Sequence, residues 1–135
     1  MKEVLIIDDE QESLRRVMRL LESKGLKAKL CADGDEGIEI YRREKPQIVL
    51  CDLFLPKKDG FAILKAIKEI NVQARVFMLT AAGTNDYIEK AASLGAAGYI
   101  IKPLDLPLIL NIAECFLSLA DDDTEFRIFK SKHEA

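Results

Sequence analysis

The sequence has few cysteines, no long apolar run and no strong excess of one charge. Its three cysteines include no CxxC pair, and an odd count without that spacing argues against a disulfide framework or a zinc site. No apolar stretch approaches the ~18 residues that cross a bilayer. The apolar run at the N-terminus stops at Asp8, too early for a secretory signal. These absences predict a cytoplasmic protein, not bound to a membrane, with reduced thiols.

The net charge, the composition and the chain length indicate a globular protein of one domain that does not bind nucleic acid directly. A formal net charge of −3 provides no electrostatic attraction to nucleic acid, so we expect no direct nucleic-acid binding. Hydrophobic residues make up 49% and charged residues 32% of the chain, a balance that is typical of globular proteins. A length of 135 residues suits one domain with its own core.

Short apolar segments alternate with longer segments of helical period. The alternation predicts an α/β fold of the flavodoxin-like (βα)5 type, with a five-stranded parallel sheet of order 2-1-3-4-5 between two helical layers. All but the second segment are continuously apolar, as expected of parallel strands covered on both faces; the second carries lysines at alternate positions, which indicates an edge strand. The segments are 4–7, 28–32, 48–51, 76–79 and 99–101.

The character of the chain changes after this pattern. Residues 1–120 are predicted to form the domain, and residues 121–135 a C-terminal tail or the start of a linker. The tail begins with an acidic run and continues with Phe126, Ile128 and Phe129 among charges. These apolar side chains motivate the hypothesis that the tail docks on this domain or on a second copy.

Ionisable side chains collect where the predicted strands end. In this order the chain switches direction between strands 1 and 3, and ligands bind outside the carboxyl ends of those strands. Asp8 and Asp9 follow the first strand, Asp52 the third, Thr80 the fourth and Lys102 the fifth. Each residue alone fits an ordinary role, such as a helix N-cap for the acids. Together they predict a site at one edge of the sheet.

The residue types indicate phosphoryl chemistry. Crowded carboxylates need a proton or a cation, and hard oxygen ligands select Mg²⁺, with Mn²⁺ as a substitute. A metal can hold a phosphoryl oxygen against a carboxylate nucleophile. Lys102 provides a compact positive charge for another oxygen, and the Thr80 hydroxyl can hydrogen-bond a third. Carboxylates that form aspartyl phosphates are an established covalent route.

At this point the chain resembles a known family. Residues 1 to about 120 resemble the receiver domain of bacterial response regulators. The resemblance is carried by separated segments that agree in residue type, order and position relative to the strands: Asp8-Asp9, Asp52, Pro56 with Asp59-Gly60, Thr80-Ala81 and Lys102-Pro103.

The resemblance implies a role for each matching residue. Asp52 accepts a phosphoryl group from a phosphohistidine on a sensor histidine kinase or a histidine phosphotransfer protein. Asp9 and Asp52 ligate Mg²⁺ directly, Asp8 mainly through water, and the backbone carbonyl of Phe54 is a further ligand. Lys102 contacts the phosphate and, in the resting state, Asp52.

The resemblance also implies a conformational switch. Thr80 moves toward the phosphate, and Tyr99 then rotates inward to fill the space, so that a local change in charge is read out by packing. The fourth helix, fifth strand and fifth helix form the output face, which an unknown downstream partner, an effector domain or a second copy in a homodimer contacts. The Lys102-Pro103 peptide is expected to be cis.

Three other functions fit these residues less well than the switch. The switch catalyses its own phosphorylation and dephosphorylation but is not an enzyme with an external substrate. A receiver-like binding module that works without phosphate would not require the complete set of acids, hydroxyl and amine that this sequence retains. A phosphohydrolase of the haloacid-dehalogenase type has DxD after strand 1, whereas Asp8 and Asp9 are adjacent here. A flavin-binding flavodoxin is excluded because acids after strand 1 would repel the FMN phosphate.

Overall fold

A computed structural model of the chain describes residues 1–132. Its strands form one parallel sheet in the order β2-β1-β3-β4-β5-β6. No helix in that range is long and apolar enough to span a membrane. The elements in chain order are β1 (Glu3–Ile7), α1 (Gln11–Ser23), β2 (Lys27–Cys31), α2 (Gly34–Glu44), β3 (Ile48–Asp52), α3 (Gly60–Ile70), β4 (Val76–Thr80), α4 (Asn85–Ser93), β5 (Gly98–Ile101), α5 (Leu106–Ser118) and β6 (Arg127–Phe129).

The sheet separates two apolar cores. Alternate residues of the inner strands enter a core against α2, α3 and α4 or a core against α1 and α5. All residues of β3 and β4 are buried, which explains their continuous apolar sequence. Lys27 and Lys29 of β2 are exposed, as predicted for an edge strand. The flavodoxin-like fold and its predicted strand order are thereby confirmed for the first five strands.

The prediction of five strands falls one short, because part of the tail returns to the sheet. Residues 127–129 pair with β5 in parallel, and Phe129 is only 8% exposed. Gly98 makes the pairing feasible: a Cβ there would lie 2.4 Å from the carbonyl oxygen of Arg127. The hypothesis that the tail docks on this domain is confirmed, while the division into a domain and a tail at residue 120 stays a prediction. A strand of three residues among charges leaves no periodic signal.

The C-terminus of α5 is capped by a lysine from the other end of the chain. Lys2 Nζ donates hydrogen bonds to the carbonyl oxygens of Phe116 at 2.8 Å and Leu119 at 2.6 Å. A cation placed there also interacts favourably with the helix dipole.

The Lys2→Met variant keeps the aliphatic stem and removes the donor. We expect it to lower the free energy of unfolding by about 1–2 kcal/mol, because partly buried carbonyls lose a charged partner. Urea unfolding measures the change. The control is Lys27→Met, whose exposed ion pair with Glu3 spans 4.0 Å and contributes under about 0.5 kcal/mol. Equal losses in the two variants would contradict the capping role.

Candidate functional site

The predicted side chains meet at the carboxyl end of the sheet, where four strands end. Asp8 and Lys102 directly follow β1 and β5, whereas Asp52 and Thr80 are the last residues of β3 and β4. Because the strands are parallel neighbours, these positions are adjacent. The Lys102 backbone N–H donates to the carbonyl of Thr80 at 2.8 Å. The topology therefore assembles the acids, the hydroxyl and the amine.

Three carboxylates crowd this edge. Oxygens of Asp8, Glu10 and Asp52 all lie within 4.8 Å of one another, an arrangement that could hold a metal ion. Asp8 is fully buried, and its Oδ1 accepts a hydrogen bond from the Glu10 N–H at 2.9 Å. Its Oδ2 is buried and lies 2.9 Å from Lys102 Nζ, so the ammonium is the partner of this oxygen. Carboxylate oxygens crowded in this way are ligands that suit a hard cation.

The environment of Asp52 opposes its charge. Its side chain accepts a hydrogen bond from the Phe54 N–H at 3.2 Å. Burial is the main cause that raises the pKa of Asp52 to about 6, and the charges of Asp8 and Asp9 add to it; the Phe54 N–H and Lys102 act in the opposite direction. Positive charge brought to this site would restore the ionised, nucleophilic form.

Without metal ions, we expect Asp52 to lower the free energy of unfolding as the pH rises. Between its ordinary value of 3.8 and about 6, the folded carboxyl keeps a proton that the unfolded one has released. The folded state then binds more protons, so raising the pH favours unfolding.

The Asp52→Asn variant isolates this effect. The free energy of unfolding of this variant, relative to wild type, should rise as the pH increases from about 3.8 to about 6. Above that range the variant should be more stable than wild type by on the order of 1 kcal/mol. A shift of one pKa unit corresponds to ~1.4 kcal/mol, and solvent screening of the partly accessible carboxyl reduces the total. Urea unfolding in EDTA between about pH 4 and pH 7 gives the difference. A variant that is less stable than wild type at neutral pH would contradict the raised pKa.

Lys102 has other partners than the predicted one. Its Nζ lies 2.6 Å from Glu10 Oε1 and 2.9 Å from Asp8 Oδ2, and within residues 1–132 it forms no ion pair with Asp52. The resting contact with Asp52 is therefore wrong for this structure, because the two other acids hold the ammonium between them. Burial acts to lower the pKa of Lys102, but the contacts with Glu10 and Asp8 outweigh it and raise that pKa. The cis peptide between Lys102 and Pro103 is confirmed.

The predicted switch pair converges on one loop residue. Thr80 is 1% exposed, and its hydroxyl oxygen accepts a hydrogen bond from the Ala82 N–H at 3.2 Å. Tyr99 is fully buried, and its hydroxyl donates to the carbonyl oxygen of the same Ala82. Burial raises the pKa of Tyr99 to about 12. Both side chains thus fasten the β4–α4 loop, and Tyr99 occupies the inward position.

Two predicted metal ligands lie outside the carboxylate cluster, and one residue was missed. Asp9 is exposed. Phe54 is 54% exposed and packs edge-to-face on Tyr87 with ring centroids 5.7 Å apart. Glu10 was visible as the third acid of a run after strand 1, but its side chain was not recognised as part of the site. The ligand roles of Asp9 and the Phe54 carbonyl stay predictions.

Comparison with known proteins identifies the family of the chain. The profile of the response regulator receiver domain matches residues 4–114. Chemotaxis protein CheY of Halobacterium salinarum is 34% identical over 111 residues, covering 82% of this chain and 92% of that protein. Sporulation initiation phosphotransferase F of Bacillus subtilis is 32% identical over 120 residues, covering 88% of this chain and 97% of that protein.

Solved structures show the same fold. The CheX–CheY–BeF3–Mg²⁺ complex from Borrelia burgdorferi has a TM-score of 0.80 at 30% identity, covering 88% of this chain and 90% of that chain. A two-component response regulator from Clostridium difficile has a TM-score of 0.80 at 24% identity, covering 88% of this chain and 98% of that chain, which supports the fold alone. Receiver domains are signalling switches rather than enzymes that turn over a substrate, and they typically bind Mg²⁺. From the profile match and the similarity to CheY, this chain belongs to the response regulator receiver domain family.

Proposed function

We propose that this receiver is a phosphorylation-controlled switch in which Asp52 accepts a phosphoryl group from a histidine kinase or a histidine phosphotransfer protein. The observation that carries the proposal is the position of Asp52. Asp52 is 6% exposed as a residue and lies at the carboxyl end of the sheet, where oxygens of Asp8 and Glu10 lie within 4.8 Å of an oxygen of its carboxylate. Lys102 is paired with the same two acids. Clustered acids suit a cation, and the cation together with the amine suits the negatively charged oxygens of a phosphoryl group.

Asp52 is the nucleophile of the proposed transfer. One carboxylate oxygen attacks the phosphorus of the phosphohistidine, the P–N bond breaks, and the imidazole leaves with the electron pair. The Phe54 N–H already holds Oδ1 of Asp52, which leaves Oδ2 for the new bond. The Lys102 ammonium and the Thr80 hydroxyl then hydrogen-bond oxygens of the transferred group.

The donor set fits Mg²⁺, and Mn²⁺ as a substitute. We infer that Asp8, Asp9 and Asp52 hold the ion together with the Phe54 carbonyl; the bound ion would neutralise charge on the carboxylates and the phosphoryl oxygens. The crowding of the carboxylates supports this assignment, because oxygens of Asp8 and Asp52 lie within 4.8 Å of each other.

Asp9 is favoured over Glu10 as the third acid. Glu10 already pairs with Lys102 at 2.6 Å, so the ion would have to compete with the ammonium. Asp9 is exposed, has no ion pair within the part of the chain that the structure describes, and its charge raises the pKa of Asp52. An acid whose charge acts on Asp52 lies near enough to contribute to the same site.

The response passes through Ala82. When Thr80 turns its hydroxyl toward the phosphoryl group, the hydrogen bond from the Ala82 N–H is lost. Tyr99 donates to the carbonyl of the same residue, so the loop and the ring respond together. The face formed by α4, β5 and α5, on which β6 pairs with β5, changes shape, and a downstream partner reads that change. We place this switch in the cytoplasm with its phosphodonor, consistent with the free thiols of Cys31, Cys51 and Cys115.

Intact-mass measurement with two small phosphodonors tests the function. Acetyl phosphate and phosphoramidate, whose P–N bond is like that of phosphohistidine, should each add one phosphoryl group in the presence of Mg²⁺. Samples with EDTA should show none, because the acids then lack their counter-charge. A protein that binds Mg²⁺ but remains unmodified by both donors would contradict the proposal and favour a binding module that works without phosphate.

A further inference from the structure

The segment after α5 runs back along the sheet and is anchored at both ends. We call residues 120–132 the C-terminal strap. At its start, the Arg75 guanidinium donates to the carbonyl oxygens of Ala120 and Asp121, the latter at 2.7 Å. At its end, the Ser131 hydroxyl donates to a carboxylate oxygen of Asp105, the N-cap of α5. The strap thus spans the molecule from the amino end to the carboxyl end of the sheet.

The middle of the strap is seated on β5. Phe129 packs on Phe77 with ring centroids 6.3 Å apart and joins the core against α1 and α5. Phe126 packs against the core on the other face. Gly98 leaves the space in which the Arg127 backbone approaches β5. These contacts show a fitted strand pairing.

The strap lies where Tyr99 would move. Tyr99 is in register with Ile128, and residues in register on neighbouring strands point to the same face of the sheet. Without β6, β5 would be the edge strand, and an outward rotation would carry the Tyr99 ring past that edge. With β6 present, the backbone of the strap and Ile128 occupy that place. The ring is fully buried in the inward position beside this pair.

The seating of the strap is shallow. Phe129 is buried, Phe126 and Arg127 are partly buried, and Ile128 is 54% exposed. One strand of three residues has little apolar area to offset the entropy of ordering the segment. Such an element belongs to the low-stability end of the molecule and can open while the rest stays folded.

We propose that the C-terminal strap is a displaceable cover of the β5 edge. When docked, it holds Tyr99 inward and prevents a strand of a second copy or of a partner from pairing with β5. When displaced, it allows Tyr99 to rotate and exposes β5 for pairing. The consequence for output rests on the proposed function, since it requires Tyr99 to be the switch residue. The docking and the confinement of Tyr99 do not depend on phosphorylation.

Hydrogen exchange measured by mass spectrometry on the full chain tests the docking. In Phe129→Ser, amides of Gly98–Ile101 should exchange at least about ten-fold faster, because the seating side chain is lost. The matched control is Ile128→Ser in the same strand, which removes a mostly exposed side chain and should stay within about two-fold of wild type. Amides of Ile48–Asp52 should be unchanged in both variants.

A second variant opens the pairing from the β5 side. The Cβ of Gly98→Ala would lie 2.4 Å from the Arg127 carbonyl oxygen and 2.8 Å from the Phe77 ring. It should raise exchange in β5 as Phe129→Ser does, and unchanged exchange in β4 would exclude a disturbance of the core through Phe77. If neither variant accelerates exchange in β5, the docking is overturned. If both accelerate exchange in β3 equally, the strap is an integral part of the cooperative fold, and the idea of a displaceable cover is overturned.

Fluorine NMR of 3-fluorotyrosine-labelled protein reports on Tyr99, with its signal assigned by Tyr99→Phe. The signal should shift or broaden in Phe129→Ser and stay unchanged in Val72→Ser, which alters an exposed apolar residue outside the strap. An unchanged Tyr99 signal together with an opened β5 would overturn the confinement. No phosphodonor is present, so these outcomes are independent of whether Asp52 accepts phosphate.

Discussion

Asp52→Asn is expected to take up no phosphoryl group under conditions in which the wild type acquires one. The amide nitrogen and oxygen of asparagine cannot replace the carboxylate as a nucleophile, so we expect at least about a 100-fold loss of adduct in the intact mass. Asparagine keeps an oxygen that can accept from the Phe54 N–H, as Asp52 does at 3.2 Å. The neutral side chain also removes a destabilising charge, so the loss cannot be attributed to unfolding.

The matched control for this loss is Asp59→Asn. Asp59 is the N-cap of α3 and accepts a hydrogen bond from the Ala62 N–H at 3.0 Å. Asparagine caps helices about as well as aspartate, so this variant should be phosphorylated like the wild type. A metal-dependent adduct that persists in Asp52→Asn would move the phosphoacceptor to another residue. Peptide mapping of that adduct would identify the residue.

Mg²⁺ is expected to stabilise the wild type strongly. The ion would relieve the repulsion among the carboxylates at the carboxyl end of the sheet, whose oxygens lie within 4.8 Å of one another. At a hundred-fold excess over the dissociation constant, the free energy of unfolding should rise by about 2.7 kcal/mol. For a domain of this size, the midpoint of thermal unfolding should then rise by roughly 10 °C, and EDTA should reverse the shift.

Two neutralising variants decide which exposed acid holds the ion. Asp9→Asn should lose most of the thermal shift, since it removes a proposed ligand. Glu10→Gln should keep most of it, because Glu10 pairs with Lys102 at 2.6 Å. The opposite pattern would assign the ligand to Glu10, as the carboxylate distances by themselves indicate. A shift that is equal in wild type and Asp52→Asn would contradict the proposed metal site.

Much of the site was predictable because local sequence carries its signals. Buried parallel strands leave continuous apolar segments, and the residues that end them are then defined by position. In the parallel order, Asp8, Asp52 and Thr80 had to meet at one edge. The residue types at these positions were enough to indicate phosphoryl chemistry and to reveal the resemblance to receiver domains.

The sequence by itself therefore determined the fold class, the strand order of the first five strands and the residues at the carboxyl edge. Only the tertiary structure decided that Lys102 turns to Glu10, 92 positions away, and that Tyr99 lies inward on Ala82. It also decided that residues 127–129 extend the sheet beside Gly98. The partner of Lys102 depends on which of several nearby carboxylates lies closest to its ammonium. The pairing of residues 127–129 depends on the space that Gly98 leaves beside β5. Hydrophobic periodicity records burial along one element and carries no information about contacts between elements that are distant in the chain.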